Sequence, residues 1–204
     1  METSESEQDS LWGAHGVSGL VTSGNASEFF AEYGLYYQEN AAIGASLASL
    51  DKEGLSNSTQ SFKFLSEHFN SDSRIQPILE PYLRHDNPQI CLPFSADPGH
   101  IFTFSTAPVI GNRIVVYTLG TGSCIEFYAN SHKKDLRGVR ASNGLLEIAE
   151  ASLRKNGCNT IPVRMEKGGI AILHPRHAFQ IREGFTNTYG LEIPRHQEVN
   201  VSHQ

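Results

Sequence analysis

Basic excess, a disulfide pattern, long apolar runs and internal repeats are all missing from this 204-residue chain, and each absence removes a class of function. Lys and Arg number 16 against 22 Asp and Glu. Four of those acids, Glu2, Glu5, Glu7 and Asp9, fall in the first ten residues, so the rest of the chain carries only about −2. A nearly neutral body with scattered cations offers no electrostatic footprint for DNA or RNA, and no nucleic-acid partner is expected. The three cysteines, Cys91, Cys124 and Cys158, are odd in number, widely spaced and free of any Cys-x-x-Cys. They read as buried thiols of a reducing compartment rather than a disulfide framework. No stretch approaches the roughly 18 apolar residues of a membrane span, and the acidic, polar start is unlike a secretory signal. A cytoplasmic protein with no membrane partner is expected, and three Asn-x-Ser/Thr sites therefore carry no meaning.

What is present is enough apolar sequence, 39%, to build one core without covalent staples. Residues 1–10 form an acidic tail too poor in hydrophobics to fold alone, and residues 11–204 read as a single domain. Within it the texture changes near Asn87-Pro88. From 11 to 86 the apolar spacing is helical. Ser27 reads as the cap of a helix through Glu32, Ala41 to Leu50 as a second, and Ser58 to Phe69 and Ile75 to Leu83 as two amphipathic helices. From 87 to 204 short alternating runs are punctuated by Gly and Pro. Strands are expected at His100–Phe104, Arg113–Leu119, Cys124–Tyr128, Ile161–Glu166, Ile170–Leu173, Phe179–Arg182 and Thr186–Ile193. Turns at Gly120-Thr-Gly122 and Lys167-Gly-Gly169 join several of them, and one helix over Leu146 to Lys155 stops at Asn156-Gly157. With no recurring β-helix-β unit, the fold class is mainly β with α: a jelly roll covered by N-terminal helices.

The residues that can carry chemistry are mostly histidines. The apolar run Gly169 to Leu173 ends at His174-Pro-Arg-His177, the best site candidate. Residues three apart on a regular strand face opposite sides, so both rings reach one site only if Pro175 bends the chain. Leu119-Gly-Thr-Gly-Ser123 lacks the Lys and helix of a phosphate loop and reads as a hairpin turn. Ser131-His132 has no third orienting group to make it a nucleophile and base. Glu126, Tyr128, Arg164 and Glu166 alternate with apolar residues and are taken as a solvent face rather than a barrel lining. Trp12 with Phe29, Phe30, Tyr33, Tyr36 and Tyr37 reads as core where helices cover a sheet.

Two segments, Val115 to Leu136 and Lys167 to Leu191, together resemble the later strands of the phytanoyl-CoA dioxygenase-like, iron and 2-oxoglutarate-dependent oxygenases. Asn130-Ser-His132-Lys133 resembles that family's Gly-Ser-His turn, and the spacing from His132 places His177 about where the family keeps its distal iron-binding histidine. The resemblance covers roughly the last half of the chain. It implies a double-stranded β-helix, the cupin-like jelly roll, with Fe(II) and 2-oxoglutarate as cofactors. It makes His177 the candidate metal ligand, helped by His174 or His100, and Arg182 and Tyr189 the candidate anchors for an anionic substrate or co-substrate. The family supplies its first two ligands as His-x-Asp on an early barrel strand, and this chain contains no His-x-Asp; Asp97-Pro-Gly-His100 has the residue types in another order, and His85-Asp86 are adjacent.

Three functions remain open, all with a small-molecule ligand and all compatible with a homo- or hetero-oligomer. One is a dioxygenase-like enzyme of secondary metabolism on this scaffold. The second is a cupin-like isomerase or cyclase that needs no metal or other cofactor and uses one histidine for proton transfer. The third is a partner subunit that keeps the fold without the site.

Overall fold

A computed structural model describes residues 10–55, 58–83, 88, 90–108 and 112–193. The tail through residue 9, His85-Asp86 and Arg195 lie outside the described residues.

Four helices come first. Helix α1 (Ala26–Tyr33) begins two residues earlier than the sequence suggests, because Asn25 and not Ser27 precedes it. The Asn25 side chain is spent on the Thr22 N–H (2.7 Å), while Ser27 sits inside the helix and donates to the Pro77 carbonyl (2.9 Å). Helix α2 (Ala41–Lys52) is capped by Asn40, whose side chain accepts from the Ala42 and Ile43 N–H groups, and α3 (Thr59–Ser71) by Ser58 in the same manner. Asp72 accepts from the Arg74 and Ile75 N–H groups at the start of α4 (Ile75–Leu83).

The strands form two antiparallel sheets. The first comprises β1 (Leu35–Glu39), β2 (Ile90–Ser95), β4 (Arg113–Leu119), β9 (Gly169–Leu173) and β11 (Phe185–Glu192), in the order β1-β9-β4-β11-β2. The second comprises β3 (Phe102–Thr103), β5 (Ser123–Tyr128), β6 (Gly138–Arg140), β7 (Leu146–Ile148), β8 (Thr160–Met165) and β10 (Phe179–Glu183), in the order β6-β7-β3-β10-β5-β8. From β2 to β5 and again from β8 to β11 the chain switches sheets at nearly every strand. Such interleaving is the double-stranded β-helix form of the jelly roll, and the fold class expected from the sequence holds.

Period 2 decides which side chains fill the space between the sheets. Tyr117 and Tyr37 point inward from the first sheet, Phe127 and Phe179 from the second, and each is fully buried. Their neighbours Tyr36 and Tyr189 point outward under the helices, against Arg74 and Phe62. The Trp12 ring stacks on Tyr37 and meets Phe29 and Tyr33, so the N-terminal aromatics are core, as read. Glu126 and Arg164 do face solvent, paired with Arg182 (2.7 Å) and Glu183 (3.6 Å). Tyr128, on the same face, is instead covered by Ile101, Leu136, Ile148 and Leu153 of α5 (Glu150–Lys155) and its approach.

Several boundaries differ from the sequence reading. The expected helix over Leu146–Lys155 splits, with Leu146–Ile148 pairing to β3 and β6 before α5 begins. The expected strand at His100 shrinks to Phe102–Thr103, leaving His100 in the turn before it. Strand β1 lies between two helices and gains its place by pairing with β9 at the edge of the first sheet. No helix among the described residues is long and apolar enough to cross a membrane.

Helix α2 crosses the turn between β8 and β9 so closely that a Cβ on Gly44 would stand 2.0 Å from the Lys167 carbonyl oxygen. Helix propensity alone favours alanine here by about 1 kcal/mol. The contact outweighs it: Gly44→Ala is expected to lower stability by about 2 kcal/mol or more in denaturant unfolding, and a stabilised variant would show that α2 does not dock as described.

Candidate functional site

Three histidines meet at one end of the barrel. His174 follows β9, and the His177 N–H donates to the His174 carbonyl (2.8 Å), closing a tight turn with Pro175 at its second position. The turn sends His177 toward the interior, where its ring meets Phe127 at 6.1 Å, and leaves His174 beyond the strand end. His132 joins them from the 3-10 turn Ser131–Lys133 that follows β5. Its ring centroid lies 5.6 Å from that of His174 and 5.7 Å from that of His177, the latter pair stacked. The bend at Pro175 therefore brings both histidines of the motif against a third.

Local chemistry holds the arrangement. Asn130 adopts the left-handed conformation (φ 60°) that starts the 3-10 turn, a region Asn tolerates better than most residues. The Ala178 N–H donates to Ser131 Oγ (2.8 Å), fixing the turn to β10, so Ser131 has a structural partner and His132 is free of it. Gly34, the left-handed residue that ends α1, accepts from the His174 N–H (2.9 Å). A Cβ on Gly34 would lie 2.7 Å from the His132 ring, so that ring rests where only glycine leaves room. Arg176 turns away and donates to the Lys134 carbonyl.

All three imidazoles are held neutral. His132 is pushed down to about 4, chiefly by burial, then by the charges His174 and Lys133 would present. His177 is driven further down by burial and by its two neighbours, and His174 is lowered by burial and by Arg176. The Arg176 N–H donates to His174 Nδ1 (3.2 Å), so the proton of the neutral ring belongs on Nε2. Among the described residues, neither nitrogen of His132 nor of His177 has a hydrogen-bond partner. The Glu32 carbonyl approaches His132 and opposes the downward shift without reaching hydrogen-bond geometry.

The other candidates stand elsewhere. His100 is half exposed and bonded through Nδ1 to Asp97 (2.7 Å), which raises its pKa; the Asp97-Pro-Gly-His100 segment thus closes on itself in a surface turn. Arg182 lies on the solvent face of β10, donating to Glu126 (2.7 Å) and to the Pro98 carbonyl (3.2 Å). Tyr189 faces the helices, with its hydroxyl 3.0 Å from Ser61 Oγ. Inside the barrel, β3 pairs with β10 beside His177 and carries no carboxylate there. Phe102 and Phe104 pack instead on Phe179, at 6.4 and 5.8 Å, and Phe104 also meets Tyr117. Tyr117 Oη and Thr188 Oγ1, opposite each other on β4 and β11, are buried without hydrogen-bond partners among the described residues.

Two histidines and a carboxylate are what iron needs in a site of this type, and the residues do not fit. Among the described residues no three His, Cys, Asp or Glu side chains form a group that could hold a metal ion. Glu32, the acid beside His132, is bound to Lys133 (2.5 Å). A His-x-Glu does occur, His196-Gln-Glu198, but it lies late in the chain and outside the described residues. The residue sequence reasoning passed over is His132, whose visible signal was the Asn130-Ser-His turn.

Neutral burial has a sign that can be measured. Unfolded, each ring titrates near 6.5; folded, it resists protonation to lower pH, so the unfolded chain takes up protons first as pH falls. Stability is complete above about pH 6.5 and drains away toward pH 4, by on the order of 2–3 kcal/mol for His132 alone. His132→Phe keeps a ring on Gly34 and removes two unpaired nitrogens. It is expected to be at least as stable at pH 7 and to show a shallower acid loss in unfolding at pH 7, 5.5 and 4.5; an unchanged slope would mean His132 is not buried as described.

No family model matches the chain, and no curated protein does. Solved structures do. The non-heme alpha ketoglutarate dependent carbocyclase SnoK from nogalamycin biosynthesis matches with a TM-score of 0.51 at 12% identity, over 83% of this chain and 84% of that one. The epimerase SnoN, in complex with Fe3+, alpha ketoglutarate and nogalamycin RO, gives 0.48 at 9% identity, over 83% of each chain. HygX from Streptomyces hygroscopicus, with iron bound, gives 0.47 at 11% identity, over 81% and 84%. Of these three, the first reaches the similarity that establishes a shared architecture, and what it establishes is the fold alone: the chain has the cupin-like jelly-roll fold that SnoK has.

Proposed function

We propose that the protein acts on a carbonyl-bearing small molecule without metal, as an isomerase or cyclase on an oxygenase-like scaffold. The observation that carries this reading is the cluster itself: three neutral imidazoles gathered at the barrel end, with Glu32, the acid beside them among the described residues, bound to Lys133. His174 is the half-buried member, and its Nδ1 is already engaged by the Arg176 N–H. What it offers a ligand is the Nε2–H, a hydrogen-bond donor. A neutral imidazole that donates to a carbonyl oxygen polarises the C=O bond and stabilises charge developing on that oxygen, a role in which a depressed pKa is an advantage. Isomerisation beside a carbonyl and ring closure onto one both proceed through such a polarised C=O, with the proton leaving carbon to solvent water on the open side of the half-buried His174 and returning from it to the product. His132 and His177 pack behind it and exclude water, while burial and the Arg176 charge disfavour its protonated form. SnoK and SnoN are a carbocyclase and an epimerase, and this reading keeps that class of outcome while assigning the chain different machinery.

The aromatic filling of the barrel beside His177 supports a second reading, a binding or partner subunit that keeps the fold and performs no turnover. It shares the absence of iron chemistry. Purified protein supplied with Fe(II) and 2-oxoglutarate is expected to retain no stoichiometric iron after desalting and to release no succinate. Stoichiometric iron with succinate formation, both abolished by His177→Ala, would sink the metal-independent account.

A further inference from the structure

We propose that the cavity between α1, α4 and the start of β4 is the ligand site, outside the barrel, and that it takes a largely apolar molecule bearing an uncharged carbonyl. The proposal rests on the carbonyl-polarising role of His174 and adds where the ligand sits and what it is. The cavity measures about 400 Å³, within the range of small-molecule sites, whereas the one at the barrel mouth beside Phe94 and Phe179 measures about 230 Å³. Phe30, Ile78, Tyr82 and Ile114 supply its apolar walls, and His174 and Arg113 its polar groups.

Charge decides between a carbonyl and a carboxylate. Arg113 is paired with Glu192 at 2.9 Å, and His174 is held neutral, so among the described residues the walls present no net positive charge. A carboxylate would lose water there without gaining a counter-charge, while a ketone, aldehyde or ester loses little and meets a ring whose free nitrogen carries a proton. The fold supports the placement. His174 lies past the end of β9, on the side of the first sheet that α4 covers, whereas His177 faces the filled interior. A ligand in the outer cavity therefore reaches the cluster without displacing the aromatic core.

Prodan, a solvatochromic naphthyl ketone, serves as the probe, with naphthoate as its anionic counterpart. Saturable binding with blue-shifted emission is expected, and naphthoate should bind at least about tenfold more weakly. Ala31 is an exposed α1 residue on the cavity wall, so Ala31→Trp closes the site without touching the core and should weaken Prodan at least about tenfold. Ala96→Trp, the matching change at the barrel mouth, should leave binding unaltered. His174→Phe should weaken Prodan about fivefold and move its emission further to the blue, because the ketone loses its donor. Absence of saturable binding, insensitivity to Ala31→Trp in a variant with native circular dichroism, or loss in Ala96→Trp would overturn the site. Loss in Ala31→Trp with no change in His174→Phe would instead remove the carbonyl contact and, with it, the function proposed above.

Discussion

The contact of the His132 ring with Gly34 is the constraint on which the rest of this end of the molecule depends. Gly34 must be glycine twice over, because its backbone is left-handed (φ 63°) and because any side chain would enter the imidazole. The same residue ends α1, leads directly into β1 and accepts the His174 N–H. One position thus joins the helical layer, the edge of the first sheet and the histidine cluster. Burial of the three rings follows from that junction, and their neutrality follows from burial.

Much of the scaffold was legible because it is written in periodicities. Helices α2 to α4 announce themselves by their apolar spacing, and Arg113–Leu119 or Phe179–Glu183 by short apolar runs between turns. What escaped has physical reasons. Leu35–Glu39 is five residues long between two helices and becomes a strand because β9 offers it an edge. Leu146–Ile148 has helix-compatible spacing, and tertiary pairing to β3 overrides it. The site was legible in part. His174-Pro-Arg-His177 marks itself as a strand end followed by a bend, but nothing in the sequence says that a residue 42 positions earlier in the chain, His132, supplies the third ring. That meeting is created by the pairing of β5 with β10.

Likeness of fold and difference of site coexist here without contradiction, since chemistry resides in side chains grafted on a scaffold. The strand beside His177 leads from Phe102 to Phe104, both packed on Phe179, and Asp97 and His100 satisfy each other at the surface. Aromatic packing fills the interior around the Tyr117 and Thr188 hydroxyls, and the histidine cluster lies at the barrel end.

The most direct measurement is nitrogen-detected NMR of the histidine rings in uniformly labelled protein between pH 8 and pH 4. The account predicts that His132, His174 and His177 stay neutral at pH 7, that none titrates near the ordinary 6.5, and that His174 carries its proton on Nε2. A charged imidazole in the cluster at pH 7, or His174 protonated on Nδ1, would contradict it.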